Sequence, residues 1–368
     1  MSRSLEVRVP GPTPLPPEVQ AAVGRSMVSH RSRGFRDLFL SLGARLRPLL
    51  GAETEVIFLT ASGTGGLEAA VANTIEANDA VLSVCIGHFG ERFAEIAQRY
   101  GAAVDYLRFE PGQAADPDLV RDRLASRRYR AVLVTHCETS TGVLNDVAAL
   151  GEVIKQAPGQ PLYLLDGVSS LGGVPFDMAA VGADVVVTAS QKAWMTPPGL
   201  SMVVLSPRAW ERAEACTTPR TYFDLKSARD YGRRGETPWT PAISLLYGLD
   251  AALDLIAAEG PERVYERHRT LSRAIREGLR DLGFTILADE SHASPTVTAA
   301  HLPEGVVFAE LSRLLEDEYS IQVSGGQGAL KGRLLRIGHM GYIGECNVAY
   351  LLESIAAAVQ RCRSSEVT

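Results

Sequence analysis

The chain has 368 residues, 46% hydrophobic and 22% charged, with a formal net charge of −6. That length suits two cores rather than one. The mild acidity gives neither nucleic acid nor an anionic membrane a reason to bind. No apolar run reaches the roughly 20 residues that span a bilayer, and MSRSLEVRVPGPTPLPP lacks the apolar core of a secretion signal. Five scattered cysteines with no C-x-x-C pair read as reduced thiols of a cytoplasmic protein without a metal site.

The proline-rich PGPTPLPPEV predicts an extended arm over residues 1–20, with a helix from about Pro17. From about residue 55, short apolar runs alternate with amphipathic segments. VIFLT (56–60) precedes the helical TGGLEAAVANTIEA, and AVLSVCI (80–86) precedes FGERFAEIAQRYG, which ends at Gly101. VDYLRF, the helix PDLVRDRLAS, AVLVTHC (131–137), DVAALGEVIKQ, PLYLLD (161–166), DVVVTAS (184–190) and SMVVLS (201–206) continue the rhythm. Apolar strands separated by helices predict an α/β fold with a mostly parallel sheet covered on both faces. Long helices follow from about 241 to 281. FTILAD, PTVTAAHL, VFAELSRLLEDEY, IQVSG, RLLRIGHM and NVAYLLESIAAAVQ then predict a smaller α+β domain. The expected division is an arm at 1–20, a large domain at 21–258 and a small domain at 259–368.

Ligands of open α/β sheets bind beyond the carboxyl ends of the strands. After VIFLT comes ASGTGG, where small residues and the hydroxyls of Ser62 and Thr64 can meet an anion at a helix N-terminus. The glycine spacing fits neither a dinucleotide nor a P-loop, so a single phosphate is expected. After PLYLL comes Asp166, and after AVLVTHC come Glu138, Thr139 and Thr141. Only four lysines stand against thirty-three arginines. Lys155, Lys226 and Lys331 lie in polar, solvated segments, whereas Lys192 ends a buried strand, where desolvation can activate its amine. A lysine, an acid and a single-phosphate site at one sheet edge match pyridoxal 5'-phosphate.

These segments resemble the class V aminotransferases of fold type I, in particular the alanine–glyoxylate and serine–pyruvate group. The likeness runs through GPTPLPPEV (11–19), HRSRGF (30–35), TASGTGGLEAAV (60–71), GHFGERF (87–93), THCETSTGV (135–143), DGVSSLGG (166–173), ASQKAWMTPPG (189–199), TPAISLLYGL (240–249) and RIGHMG (336–341). The resemblance implies a seven-stranded large domain, with Lys192 as the Schiff-base lysine and Asp166 at the pyridine nitrogen. Ser62, Gly63, Thr64 and Gln191 would contact the phosphate. Phe89 would stack on the ring, and Thr139 would reach its phenolic oxygen. Arg336 would clamp the substrate carboxylate, with Gly11 beside it. Thr240, or Thr237 in its place, would reach the phosphate of the other subunit, which implies a homodimer. The sequence departs from the pattern at Trp194, expected in the pocket floor, and at Cys137.

The expected reaction is transamination from alanine or serine to glyoxylate or pyruvate. Arg31, Arg33 and Arg36 form either a solvated face or, if they enter the site, a match for an aminophosphonate; ureidoglycine is a further alternative donor. A cysteine desulfurase or lyase is disfavoured by Gln191 and Phe89, where those enzymes place histidine. A non-catalytic module is disfavoured by the intact Lys192, Asp166 and Arg336, and a dehydrogenase by the glycine spacing.

Overall fold

The structure is a computed structural model and describes residues 5–365. Its central sheet has seven strands, in the order Val56–Leu59, Ser201–Leu205, Val185–Ala189, Leu162–Asp166, Ala131–Thr135, Ala80–Cys85 and Ala103–Arg108. Ser201–Leu205 is antiparallel to both neighbours, and the remaining pairs are parallel.

Side-chain alternation explains why near-continuous apolar runs become strands here. Val132, Val134, Tyr163 and Leu165 enter the core on one face, while Ala131, Leu133, Leu162 and Leu164 enter the core on the other. Full burial of each large apolar side chain contributes about 1.5–3 kcal/mol. An aspartate in place of Leu164 would put an unpaired charge in this layer and break it.

One helix, Arg33–Leu49, lies in a stretch that the sequence reading left unassigned. Ser32 caps it by accepting from the Phe35 N–H, and Phe35, Phe39, Leu42 and Leu46 bury one face. Its arginine-rich outer face obscured that three-to-four spacing.

Near the carboxyl end, Thr285–Ile286, Val297–His301, Leu334–Gly338 and Ser324–Gly325 form an antiparallel sheet in that order. The predicted strand FTILAD shrinks to two paired residues, and IQVSG splits in two. Ile321–Gln322 pairs elsewhere, parallel to Glu6–Val7. The stretch read as an extended arm is therefore folded onto its own chain; residues 1–4 of it lie outside the described residues. The helix Pro261–Asp281 bridges two cores: Val264 belongs to the main one, and Leu271, Ile275 and Leu279 to the carboxyl-terminal one.

Candidate active site

Lys192 follows the strand Val185–Ala189 and is 8% exposed. Its Nζ donates to the Pro10 carbonyl, and its own carbonyl accepts from Thr13 Oγ1 at 3.0 Å. Thr13 N–H also donates to the Gln191 carbonyl, at 3.1 Å. The amino-terminal segment is thus built against the lysine. Gly11, at φ +119°, lies so close that a Cβ there would sit 2.7 Å from both Cε and Nζ of Lys192. Burial pushes the lysine down to about 8, with Cys137 and Asp166 opposing that shift and Arg336 adding to it. Lys155, Lys226 and Lys331 are exposed.

Asp166 ends the strand Leu162–Asp166 and is buried. Its Oδ1 accepts from the Val168 N–H at 2.9 Å. Burial pushes its carboxyl up to about 7; the Val168 N–H opposes this, Glu138 adds to it, and Lys192 and Arg92 pull it down. A buried carboxyl that lacks an ion pair is suited to a cationic N–H donor.

Ser62 caps the helix Gly63–Thr74, accepting from the Gly65 N–H at 3.4 Å. Gly63 permits the close approach of this helix start to the Asp166 loop, since a Cβ would lie 2.8 Å from Val168 Cγ2. Thr64 occupies the first turn. Gln191 has a buried Oε1 with no hydrogen-bond partner among the described residues.

Phe89 lies in the first turn of the helix His88–Arg99. The buried carboxylate of Glu138 holds that start, accepting from the Phe89 N–H at 3.0 Å and the Gly90 N–H at 3.1 Å. Ser140 adds its N–H at 3.0 Å and its hydroxyl at 2.6 Å. The Arg92 guanidinium lies 4.8 Å from the centre of the Phe89 ring. Arg336, 6% exposed, donates from Nε to the Gly325 carbonyl at 2.6 Å and from Nη1 to the Thr139 carbonyl at 3.1 Å. Burial lowers its pKa. Its Nη2 makes no hydrogen bond among the described residues.

Other expected residues stand apart. Thr240 is exposed and, among the described residues, makes no hydrogen bond to this cluster, while Thr237 Oγ1 donates to the Trp239 carbonyl at 2.7 Å. Arg31 and Arg36 pair with Glu236. Arg33 is 95% exposed, beside Asp37. Trp194 is buried in the main core, with Nε1 donating to Thr188 Oγ1 at 3.0 Å. Among the described residues no histidine, cysteine and carboxylate group has a metal-binding arrangement.

Sequence reasoning missed Pro10, Thr13 and Ser169. Pro10 stands just before GPTPLPPEV and Thr13 within it, and neither carries a local signal of Lys192, 182 and 179 residues away. Ser169, within DGVSSLGG, hydrogen-bonds Thr139, Oγ to Oγ1, at 2.6 Å.

Residues 17–342 match the family model of the class V aminotransferases. The chain belongs to that family. It is 38% identical to a protein named soluble hydrogenase, small subunit, of Synechococcus sp. (strain PCC 6716), over 95% of this chain and 92% of that one. It is 35% identical to the L-aspartate–glyoxylate aminotransferase of Paracoccus denitrificans, over 97% and 91%. The solved alanine–glyoxylate aminotransferase from Nostoc sp. superposes with a TM-score of 0.93 at 31% identity, covering 98% of this chain and 96% of that one.

Class V aminotransferases depend on pyridoxal 5'-phosphate, and the fold is that of fold type I. The described residues fit this cofactor: a buried amine with a lowered pKa, a buried carboxyl with no ion pair among them, a helix N-terminus of small residues, and a Gln191 amide oxygen with no partner among them.

Proposed function

We propose that this aminotransferase moves an amino group from a small L-amino acid, alanine or serine, to glyoxylate or pyruvate. One observation carries the reading: Lys192 and Asp166 are buried together at the sheet edge, and Arg336 is the arginine among the charged groups that act on the lysine. Arg336 is the arginine that acts on Lys192, whereas Arg92 lies over the Phe89 ring, and one carboxylate clamp beside the amine favours a donor with one carboxylate. Both aminotransferases compared above carry glyoxylate in their names, which supports that acceptor.

In this reading Ser62, Gly63, Thr64 and Gln191 hold the cofactor's phosphate, Phe89 covers its ring, and Thr139 faces its phenolic oxygen. The bound cofactor supplies an electron sink for the pair released when the Cα–H bond breaks. Asp166 stabilises the charge on the ring nitrogen. Arg336 binds the substrate carboxylate and fixes the direction of the Cα–H bond; such positioning can contribute up to about 7–11 kcal/mol. Lys192 Nζ, already poised near neutrality, takes the proton from Cα and returns it, a general acid–base role. Gly11 leaves room for the substrate beside the amine.

The assembly proposed is a homodimer with shared sites. Tyr222 and Trp239, 45% and 44% exposed, stack with ring centres 6.1 Å apart, next to the exposed Thr240. An aromatic patch left uncovered suits a subunit contact, and Thr240 would then serve the partner's phosphate site. A cytoplasmic location completes the proposal.

The test follows the visible absorption of the cofactor-loaded protein. L-Alanine or L-serine should abolish the visible band and glyoxylate should restore it. A band that alanine and serine leave unchanged while L-aspartate abolishes it would refute the small-donor assignment.

A further inference from the structure

A chain of hydroxyl and thiol groups, which includes the Cys137 thiol that acts on Lys192, has a direction that can be worked out by counting protons. Thr296 Oγ1 lies 2.6 Å from the Ser169 carbonyl, which can only accept, so Thr296 donates. Its one proton is then used, so across the 2.9 Å contact between Ser294 Oγ and Thr296 Oγ1 the donor is Ser294. The proton of Ser294 is used in turn. The Cys137 thiol, 3.1 Å from Ser294 Oγ and 3.5 Å from Thr296 Oγ1, meets two oxygens whose protons are already used, so it donates and shares its one proton between them. The sequence Cys137 to Ser294 to Thr296 to the Ser169 carbonyl therefore runs one way and ends on the backbone of Ser169. All four residues are buried. Cys137 lies on a short strand, Cys137–Glu138, Ser169 on the turn after Leu162–Asp166, and Ser294 and Thr296 in the carboxyl-terminal part, so the chain pins Ser169 from outside its own loop.

Ser169 Oγ and Thr139 Oγ1, 2.6 Å apart, carry two protons between them, and their mutual bond uses one. The other has no acceptor among the described residues. Thr139 is also the residue whose carbonyl receives Arg336.

We propose that Ser169 is a positioning residue: its hydroxyl donates to Thr139 Oγ1, which leaves the Thr139 proton free for an anionic oxygen of the bound cofactor. This rests on the reading that Thr139 faces the phenolic oxygen. Ser169 then acts only through Thr139, and the relay from Cys137 keeps its backbone in place. Hydrogen bonds linked in this way polarise one another, so Ser169 strengthens the bond that Thr139 makes.

The experiment uses cofactor-loaded protein and reads the pH at which its visible absorption changes. The other charged or titratable groups around the site, Asp166, Lys192, Cys137, Glu138, Arg92 and Arg336, stay unaltered. Thr139→Val should raise that pH by about one unit, the size of one hydrogen bond to a charged oxygen. Ser169→Ala should raise it by less, and the double variant should match Thr139→Val alone. Ser169→Thr, which keeps the hydroxyl, should restore the wild-type value. If Ser169→Ala does not fold, Ser169→Cys, with a weaker donor, replaces it.

If Thr139→Val shifts the titration and Ser169→Ala does not, or if the two shifts add, the inference is overturned while the site assignment stands. A larger shift for Ser169→Ala than for Thr139→Val would also overturn it, because Ser169 would then be the direct donor. No shift for Thr139→Val in a protein that binds the cofactor would remove the reading of Thr139, and the inference with it.

Discussion

Replacing Gly11 by alanine tests the contact between the amino-terminal segment and the lysine. Two penalties combine at this position. A residue with a side chain at φ +119° costs about 1–3 kcal/mol in backbone strain. The added methyl would also stand 2.7 Å from Lys192 Cε and Nζ, so the lysine must leave its place under the Pro10 carbonyl. Losing that hydrogen bond costs about 1 kcal/mol more. Gly11→Ala should therefore destabilise the cofactor-free protein by about 2–4 kcal/mol. In a Lys192→Ala background only the backbone cost remains, so the coupling between the two sites should be about 1 kcal/mol. Urea unfolding of wild type, both single variants and the double variant gives all four corners. Gly11→Ala alone should also lower turnover about 100-fold, as a misplaced catalytic group does. Additivity within about 0.3–0.5 kcal/mol, together with unchanged turnover, would refute the reasoning.

Further outcomes are expected at the neighbouring groups. Lys192, lowered to about 8 by burial, contributes stability that is present above its ordinary 10.5 and lost as pH falls through 8. Cofactor-free wild type should thus gain roughly 3 kcal/mol on Lys192→Met between pH 7 and pH 10.5, read as a converging pair of unfolding curves. Asp166, raised to about 7, has the opposite dependence, with stability present below its ordinary 3.8 and lost as pH rises through 7. Asp166→Asn should therefore stabilise the cofactor-free protein at pH 8 while lowering turnover about 10²–10³-fold; a destabilised variant in thermal melts would contradict the burial argument. Arg336→Lys keeps the charge but loses the planar fork, and should raise KM for the amino donor about 10–100-fold with the cofactor still bound. Glu138→Gln turns one of two buried acceptor oxygens into an N–H donor, so either the Phe89 and Gly90 N–H groups or the Ser140 N–H and hydroxyl lose their acceptor, and it should cost about 1–3 kcal/mol in denaturant unfolding.

Much of the sheet is decided by the sequence alone. Runs such as AVLVT and LYLLD alternate between two apolar layers, and residues at that spacing have no other way to bury both faces. The candidate lysine was legible for a related reason: of four lysines, only Lys192 follows such a run. The Arg33–Leu49 helix shows where local reading fails, because its exposed arginines outweigh four spaced apolar residues until the core they pack against is known.

The contacts that gather the candidate site were decided by tertiary structure. Lys192 Nζ meets Pro10 across 182 residues, Arg336 meets the Thr139 carbonyl across 197, and Thr296 meets the Ser169 carbonyl across 127. Periodicity carries no record of such distances, because it reflects which face of one element is buried and not which element lies opposite. The direction of the hydroxyl chain, and the proton left over between Ser169 and Thr139, follow only once those elements are docked, when each buried donor must find its acceptor among the groups brought to it.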